Sequence, residues 1–400
     1  MPNDHLDNPV PADAKWAFTT RRIARADVRR FSLDYRAAIA GDLLLGTIER
    51  IGQHKKVQLA SGRYSESYVG DTVVMAVGDR YAPDQFEGLA EIDAEGVDVI
   101  AGGGLVGRVL RSNARMSAPT RVRPRGLLAD AAGRPLNVAD GALPPARIPS
   151  EVHVIGVLGA SMNAGKTTAA ASLCHGLARA GLRVRAVKAT GTGAFGDYNA
   201  YLDAGVAVLD FTDAGMASTY RMPLARIEAG FETLVGTAAA AGAEVVVVEI
   251  ADGVFQPETA ALLRASRIRE RLDSVLFAAG DALGAAGGVE VLRAHGLEPF
   301  AVSGAVTCSP LATREASAAA GVPLVARETL CDPSRVIGLD GVLASRRRDA
   351  PGRRDTPSVS RVGSTSRSPR VWHAKTRAAA AEENESIGKR GIPSASGESA

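Results

Sequence analysis

The run Ala160-Ser161-Met162-Asn163-Ala164-Gly165-Lys166-Thr167-Thr168 has the residue types and spacing to hold a phosphate chain. A glycine beside a lysine lets backbone N–H groups turn inward onto a β-phosphate. The lysine then neutralises β/γ oxygens, and the next hydroxyl reaches Mg²⁺. The strict pattern asks for glycine at the first position, where this chain has Ala160. The flanks supply the required setting. Apolar residues 152–158 enter as a strand, and residues 168–180 leave as a helix that stops at Gly181. The helix start adds partial positive charge. Ser161, Met162, Asn163, Ala164, Gly165, Lys166, Thr167 and Thr168 are therefore the expected nucleotide-binding residues.

Three further segments end predicted strands. In Glu244–Glu249 (EVVVVE) an apolar strand closes on an acid, which suits Mg²⁺ or its waters beside a phosphate loop. Glu249 is the first choice and Asp252, in the following Ile250-Ala251-Asp252-Gly253, the second. Lys188-Ala189-Thr190-Gly191 follows the strand LRVRAV, and a lysine there suits a transferring phosphoryl group or an anionic substrate. Downstream, Asp197 is preferred over Asp203 as the carboxylate that completes the metal site with Thr167 and Glu249. Asp210 and Asp213 sit in DFTDAG after another strand, where either a substrate contact or a plain Asp-Gly turn reads the same. Lys166 and Lys188 are the candidate catalytic residues. Lys188, Thr190, Gly191, Asp210, Asp213 and Asp252 are the candidate substrate contacts.

Parallel strands must carry these groups, because the carboxyl ends of strands in an open α/β sheet form the ligand crevice. Residues 151–345 supply the pattern: EVHVIGVL, LRVRAVKAT, VAVLDFT, EVVVVEI, SVLFAAG, FAVSGAVT and PLVAR alternate with Ala-rich helical stretches. Near-continuous apolar strands joined by helices predict a sheet covered on both faces. Residues 37–111 read differently. DLLLGTIERI, KKVQLA, DTVVMAVG, GVDVIA and LVGRVL are short, closely spaced runs punctuated by Gly and Asp, which predicts a small all-β barrel-like domain. Residues 1–36 read as an N-terminal arm, 112–150 as a Pro/Arg-rich linker over the surface, and 346–400 as a disordered basic tail rich in Arg, Ser and Pro.

Composition narrows the function class. The chain has 400 residues and net charge +3, too small for a dedicated nucleic-acid binder. Residues 346–400 hold 12 basic and 6 acidic residues, so the rest of the chain is net negative. Three cysteines, Cys174, Cys308 and Cys331, exclude a disulfide framework and lack metal-ligand spacing. Cys174 and Cys308 read as packing residues, and His153 and His175 as structural. No signal peptide or membrane span is legible, so a reduced, cytoplasmic protein is expected.

The loop, Lys188-Ala189-Thr190-Gly191 and Val248–Gly253 together resemble the P-loop branch of dethiobiotin synthetase, the synthetase parts of cobyrinic acid amidation, and molybdopterin-guanine dinucleotide biosynthesis protein B. The resemblance spans about residues 151–330. It implies Mg²⁺ held by Thr167, Asp197 and Glu249. The region is also similar to P-loop proteins related to the D-glutamate N-acyltransferase group. Partition-ATPase relatives carry a signature lysine where this chain has Ser161, which disfavours that activity, and dethiobiotin synthetase lacks both the N-terminal domain and the tail. ATP is the expected nucleotide, because no Asn-Lys-x-Asp stretch for guanine is present, and GTP is left open. The leading functional reading is Mg²⁺-dependent phosphorylation or activation of a small anionic metabolite. An accessory NTPase acting with a partner enzyme, and an acyltransferase holding a phosphate-bearing cofactor, are the alternatives. The relatives imply a homodimer.

Overall fold

The computed structural model describes residues 10–264 and 266–343, so the tail expected over 346–400 lies outside the described residues. Ten strands lie in the first half: β1 (Lys15–Trp16), β2 (Arg30–Ser32), β3 (Leu43–Arg50), β4 (Lys56–Gln58), β5 (Tyr64–Glu66), β6 (Thr72–Val77), β7 (Phe86–Leu89), β8 (Val97–Ala101), β9 (Leu105–Ser112) and β10 (Thr120–Ala129). Five of them close a ring in the order β6-β3-β10-β8-β9, completed by a parallel pairing of β6 with β9. Alternation along these strands sends Leu44, Ile48, Val73, Met75, Val99, Val106 and Val122 into one buried cluster, which fills the ring. The opposite faces of β3, β6 and β8 pack under Trp16, Ile23 and Val28.

Three expectations give way here. Residues 112–150 are not all linker, because β10 pairs with both β3 and β8 and closes the barrel. Its arginines hid a period of two: Val122 and Pro124 are buried while Arg123 and Arg125 between and after them are exposed. The proline is tolerated because the ladder shifts register between Pro124 and Gly126. Residues 10–36 are likewise not a free arm. Trp16 and Phe18 are buried, and β1 runs parallel to β6. KKVQLA, expected in the barrel, instead gives β4, which pairs only with β5 as a separate hairpin.

The second half holds a six-stranded, all-parallel sheet. Its strands are β11 (His153–Gly159), β12 (Val184–Lys188), β13 (Val208–Asp210), β14 (Val245–Glu249), β15 (Ser274–Ala278) and β16 (Pro299–Ser303), in the order β13-β12-β14-β11-β15-β16. PLVAR, expected as a seventh strand, makes one bridge, Val302 with Leu324, before a helix begins at Arg327. Helices α1 (Lys166–Arg179), α2 (Phe195–Asp203), α3 (Leu224–Ala240), α4 (Pro257–Arg264), α5 (Arg267–Arg271), α6 (Ala282–Ala294), α7 (Pro310–Ala320), α8 (Arg327–Cys331) and α9 (Pro333–Val336) complete the described part. The sheet is buried on both sides. Val246 and Val248 join one apolar cluster with α3 and α6, and Val245 and Val247 join another with α1. That two-sided burial is what made these strands legible as continuous apolar runs. No described helix is long and apolar enough to cross a membrane.

Candidate functional site

The loop between β11 and α1 turns on two residues with positive φ, Asn163 at 64° and Gly165 at 94°. Gly165 needs its freedom twice over, since an added Cβ would also stand 3.0 Å from the Gly304 and Ala305 backbone. Ala305 N–H donates to the Ala164 carbonyl at 3.1 Å, so the turn after β16 braces the loop. Lys166 is buried, and its ammonium donates to the Ser161 carbonyl at 2.8 Å, across the loop mouth. Burial lowers its pKa, an effect opposed by the charges of Glu249 and Asp252. Strand, loop and helix together have the arrangement of a P-loop.

β14 lies between β11 and β12, so its last residue, Glu249, reaches the loop from one side and Lys188 from the other. The Thr167 hydroxyl donates to Glu249 at 3.0 Å and lies 3.3 Å from Asp197. The Lys188 ammonium bonds Asp197 and lies 3.5 Å from Glu249. Burial works against the Lys188 charge, but the two carboxylates outweigh it and its pKa is raised. Burial also opposes the Asp197 charge, and there Lys188 prevails, lowering the pKa. On the far side the buried Tyr201 hydroxyl donates to the second Glu249 oxygen at 2.6 Å. The structure thus gathers Lys166, Thr167, Lys188, Asp197 and Glu249 at one point, with Asp252 and Gly191 lining the same cleft. Two carboxylates and a hydroxyl are hard oxygen donors. They are too few for an all-protein cage, and they fit Mg²⁺, which keeps waters and phosphate oxygens. No cluster of three or more His, Cys, Asp or Glu suited to a metal occurs among the described residues.

The cleft, of about 740 Å³, has a second wall that the sequence reading did not find. Gln53, His54, Lys55, Arg80 and Gln85 of the barrel half face the loop. Asn163 of the loop donates to Asp84 at 2.9 Å. Gly103, between β8 and β9, comes so close to the 191–194 segment that a Cβ there would meet the Gly193 carbonyl at 1.9 Å. The β4–β5 hairpin and the N-terminal segment also hold α2, the helix that carries Asp197. Phe195 N–H donates to Gln58 at 2.7 Å, and the Phe195 ring packs edge-on against Tyr64 and Phe18. These residues are spread over positions 18–103 and share no motif. Only the docking of barrel on sheet assembles them.

Three other sequence candidates land elsewhere. Asp210 and Asp213 do not line the cleft; both are buried against Arg21, each with an oxygen 2.8 Å from its guanidinium. Thr190 is buried and spends its hydroxyl on the Ala251 carbonyl at 2.6 Å. Cys174 is buried as expected, whereas Cys308 is exposed rather than packed. Because Arg21 neutralises two buried acids, replacing it leaves Asp210 without its cation and Asp213 with only Arg22, 3.7 Å away. Arg21→Ala is expected to cost about 3–5 kcal/mol, read as a lowered Tm, with Arg21→Lys recovering part of the loss.

No family model matches the chain, and no curated protein matches it. Among solved structures the chain is similar to the signal recognition particle receptor FtsY from Elizabethkingia anophelis, at 21% identity and TM-score 0.29, over 40% of this chain and 52% of that one. It is similar to the signal recognition particle 54 kDa protein from Aeropyrum pernix K1 in complex with GDP, at 20% identity and TM-score 0.32, over 50% of this chain and 49% of that one. It is also similar to FtsY from Elizabethkingia anophelis in complex with GDP, at 18% identity and TM-score 0.31, over 49% of this chain and 65% of that one. The chain spans less than two thirds of each of these proteins.

Proposed function

We propose that this protein is a Mg²⁺-dependent P-loop enzyme that uses ATP to phosphorylate or activate a small anionic substrate in the cleft between sheet and barrel. One observation carries the reading. Two buried lysines, Lys166 and Lys188, meet two carboxylates and the Thr167 hydroxyl at the mouth of a walled cavity. A nucleotide switch needs the loop and a metal acid. It does not need a second buried lysine, nor a wall built by another part of the chain.

In this reading the loop N–H groups and Lys166 hold the phosphate chain, and Thr167, Asp197 and Glu249 hold Mg²⁺. Mg²⁺, when bound, neutralises charge on the phosphate oxygens. Lys188 stabilises charge on the transferring group from the neighbouring strand end. The barrel wall excludes water and orients the acceptor, so catalysis rests on positioning and fixed charge. Tyr201 acts through Glu249, whose second oxygen it holds. Tyr201→Phe is expected to raise the Mg²⁺ needed for half-maximal nucleotide binding by about tenfold, measured by calorimetric titration, while leaving the fold intact.

Thermal shift with ATP, GTP and a non-hydrolysable analogue, each with and without Mg²⁺, tests the nucleotide part, since a ligand that binds the folded state raises its stability by mass action. A Mg²⁺-dependent shift larger with ATP than GTP supports the reading, and no shift with any nucleotide overturns it.

A further inference from the structure

We propose that Arg80 is an oxyanion-binding residue of the cleft, set in the barrel wall that faces the phosphate loop. The inference rests on the cleft being the site of nucleotide and acceptor binding.

Arg80 follows β6 and is 8% exposed, yet it lines the cavity. Its direct partners are neutral. One terminal nitrogen bonds the Ile100 carbonyl, and the other donates to the Gln85 side-chain oxygen at 3.1 Å. Nε is buried with no hydrogen-bond partner among the described residues. No carboxylate of the described residues pairs with it within 4.0 Å. The acids that feel its charge, Asp84 and Asp252, also line the cavity. A guanidinium taken out of water is costly unless an anion compensates it. Here the protein fixes the group in place without supplying that contact.

The surroundings keep this charge oriented, with Lys55 a second cation on the same wall. Burial lowers the Arg80 pKa only to about 10, so it remains a cation at neutral pH. His54 on the same wall is held neutral, near 4, by burial and by Arg80 itself, and its Nδ1 is 3.0 Å from the Val99 carbonyl. Lys56 is spent on Glu66 at 2.7 Å. Asp252, Lys166 of the loop side and Arg80 of the barrel side line the same cavity, so the two cations share one space. A planar guanidinium fork suits a phosphoryl or carboxylate group with two oxygens presented to it. The oxyanion is therefore either the terminal phosphoryl of the nucleotide or the anionic group of the acceptor.

The full chain is titrated with Mg-ADP, with the Mg²⁺ complex of a non-hydrolysable ATP analogue, and with inorganic phosphate on the Mg-ADP complex, for wild type, Arg80→Gln and Arg80→Lys. Loss of one charge-assisted pair is expected to weaken the affected ligand about tenfold or more. A loss confined to the triphosphate analogue identifies the terminal phosphoryl; a loss confined to inorganic phosphate identifies the acceptor's oxyanion. Both support the proposal, with Arg80→Lys falling between. Affinities within twofold of wild type for all three ligands, in whichever variants fold, overturn it. Arg80→Lys alone decides if Arg80→Gln does not fold. Should wild type bind no nucleotide, the functional reading fails by itself. Inorganic phosphate on the nucleotide-free chain then tests Arg80 separately, and absence of binding, or binding unchanged by the variants, overturns the proposal.

Discussion

Lys166→Ala is expected to abolish Mg²⁺-dependent stabilisation by nucleotide and to lower ADP release by about 10²–10³-fold, the usual cost of removing one preorganised charge donor. The side chain crosses the loop mouth to the Ser161 carbonyl, so its ammonium already stands where phosphate oxygens would enter. Burial lowers its pKa in the free protein, and an arriving phosphate chain acts in the opposite direction by favouring the ammonium. The helix N-terminus remains in the variant, which leaves weak, Mg²⁺-independent anion binding. Parallel measurement of thermal shift and ADP release checks both halves. Wild-type release from a variant that no longer shifts would separate binding from turnover and count against the assignment.

Lys188→Met is expected to have two opposite effects. ADP release should fall by about 10²-fold, because the charge opposite the transferring group is lost. Divalent-cation binding to the nucleotide-free protein should tighten roughly tenfold or more. The wild-type ammonium bonds Asp197 and sits 3.5 Å from Glu249, where it neutralises the two acids that a metal would use. At such distances a unit charge is worth about 4 kcal/mol at an effective dielectric of 20. Part of that is returned when the freed carboxylates repel each other or take up protons. Mn²⁺ titration followed by electron paramagnetic resonance reads the affinity without any turnover. Unchanged or weaker Mn²⁺ binding would mean that Lys188 does not compete for the metal acids.

The phosphate loop, Glu249 and Lys188 were legible because each sits at the end of a strand whose apolar run is unmistakable, whereas Asp197 lies in the first turn of α2. A parallel sheet then brings strand ends together whatever the helices between them contain. The strand pairings make this concrete, with Lys188 directly beside Glu249 in the ladder. The other half of the cleft was hidden for a physical reason. Gln58 and Phe195, which join the β4–β5 hairpin to α2, are 137 residues apart and belong to no local pattern. Asp210 and Asp213 misled because an Asp-Gly turn that binds a ligand and one that binds an arginine look alike until Arg21 is placed. β10 was masked by composition: its exposed arginines and its proline outweighed the alternation that puts Val122 inside.

Acceptor-stimulated ADP release tests the account most directly. The full chain is supplied with Mg-ATP and a panel of small mono- and dicarboxylates, and ADP is followed with wild type and Lys188→Met side by side. At least one carboxylate should raise release about tenfold above the basal rate in wild type and have no effect in the variant. Basal release that no member of the panel changes, with identical rates in the two proteins, would contradict phosphoryl transfer to an anionic acceptor and leave a nucleotide hydrolase in its place.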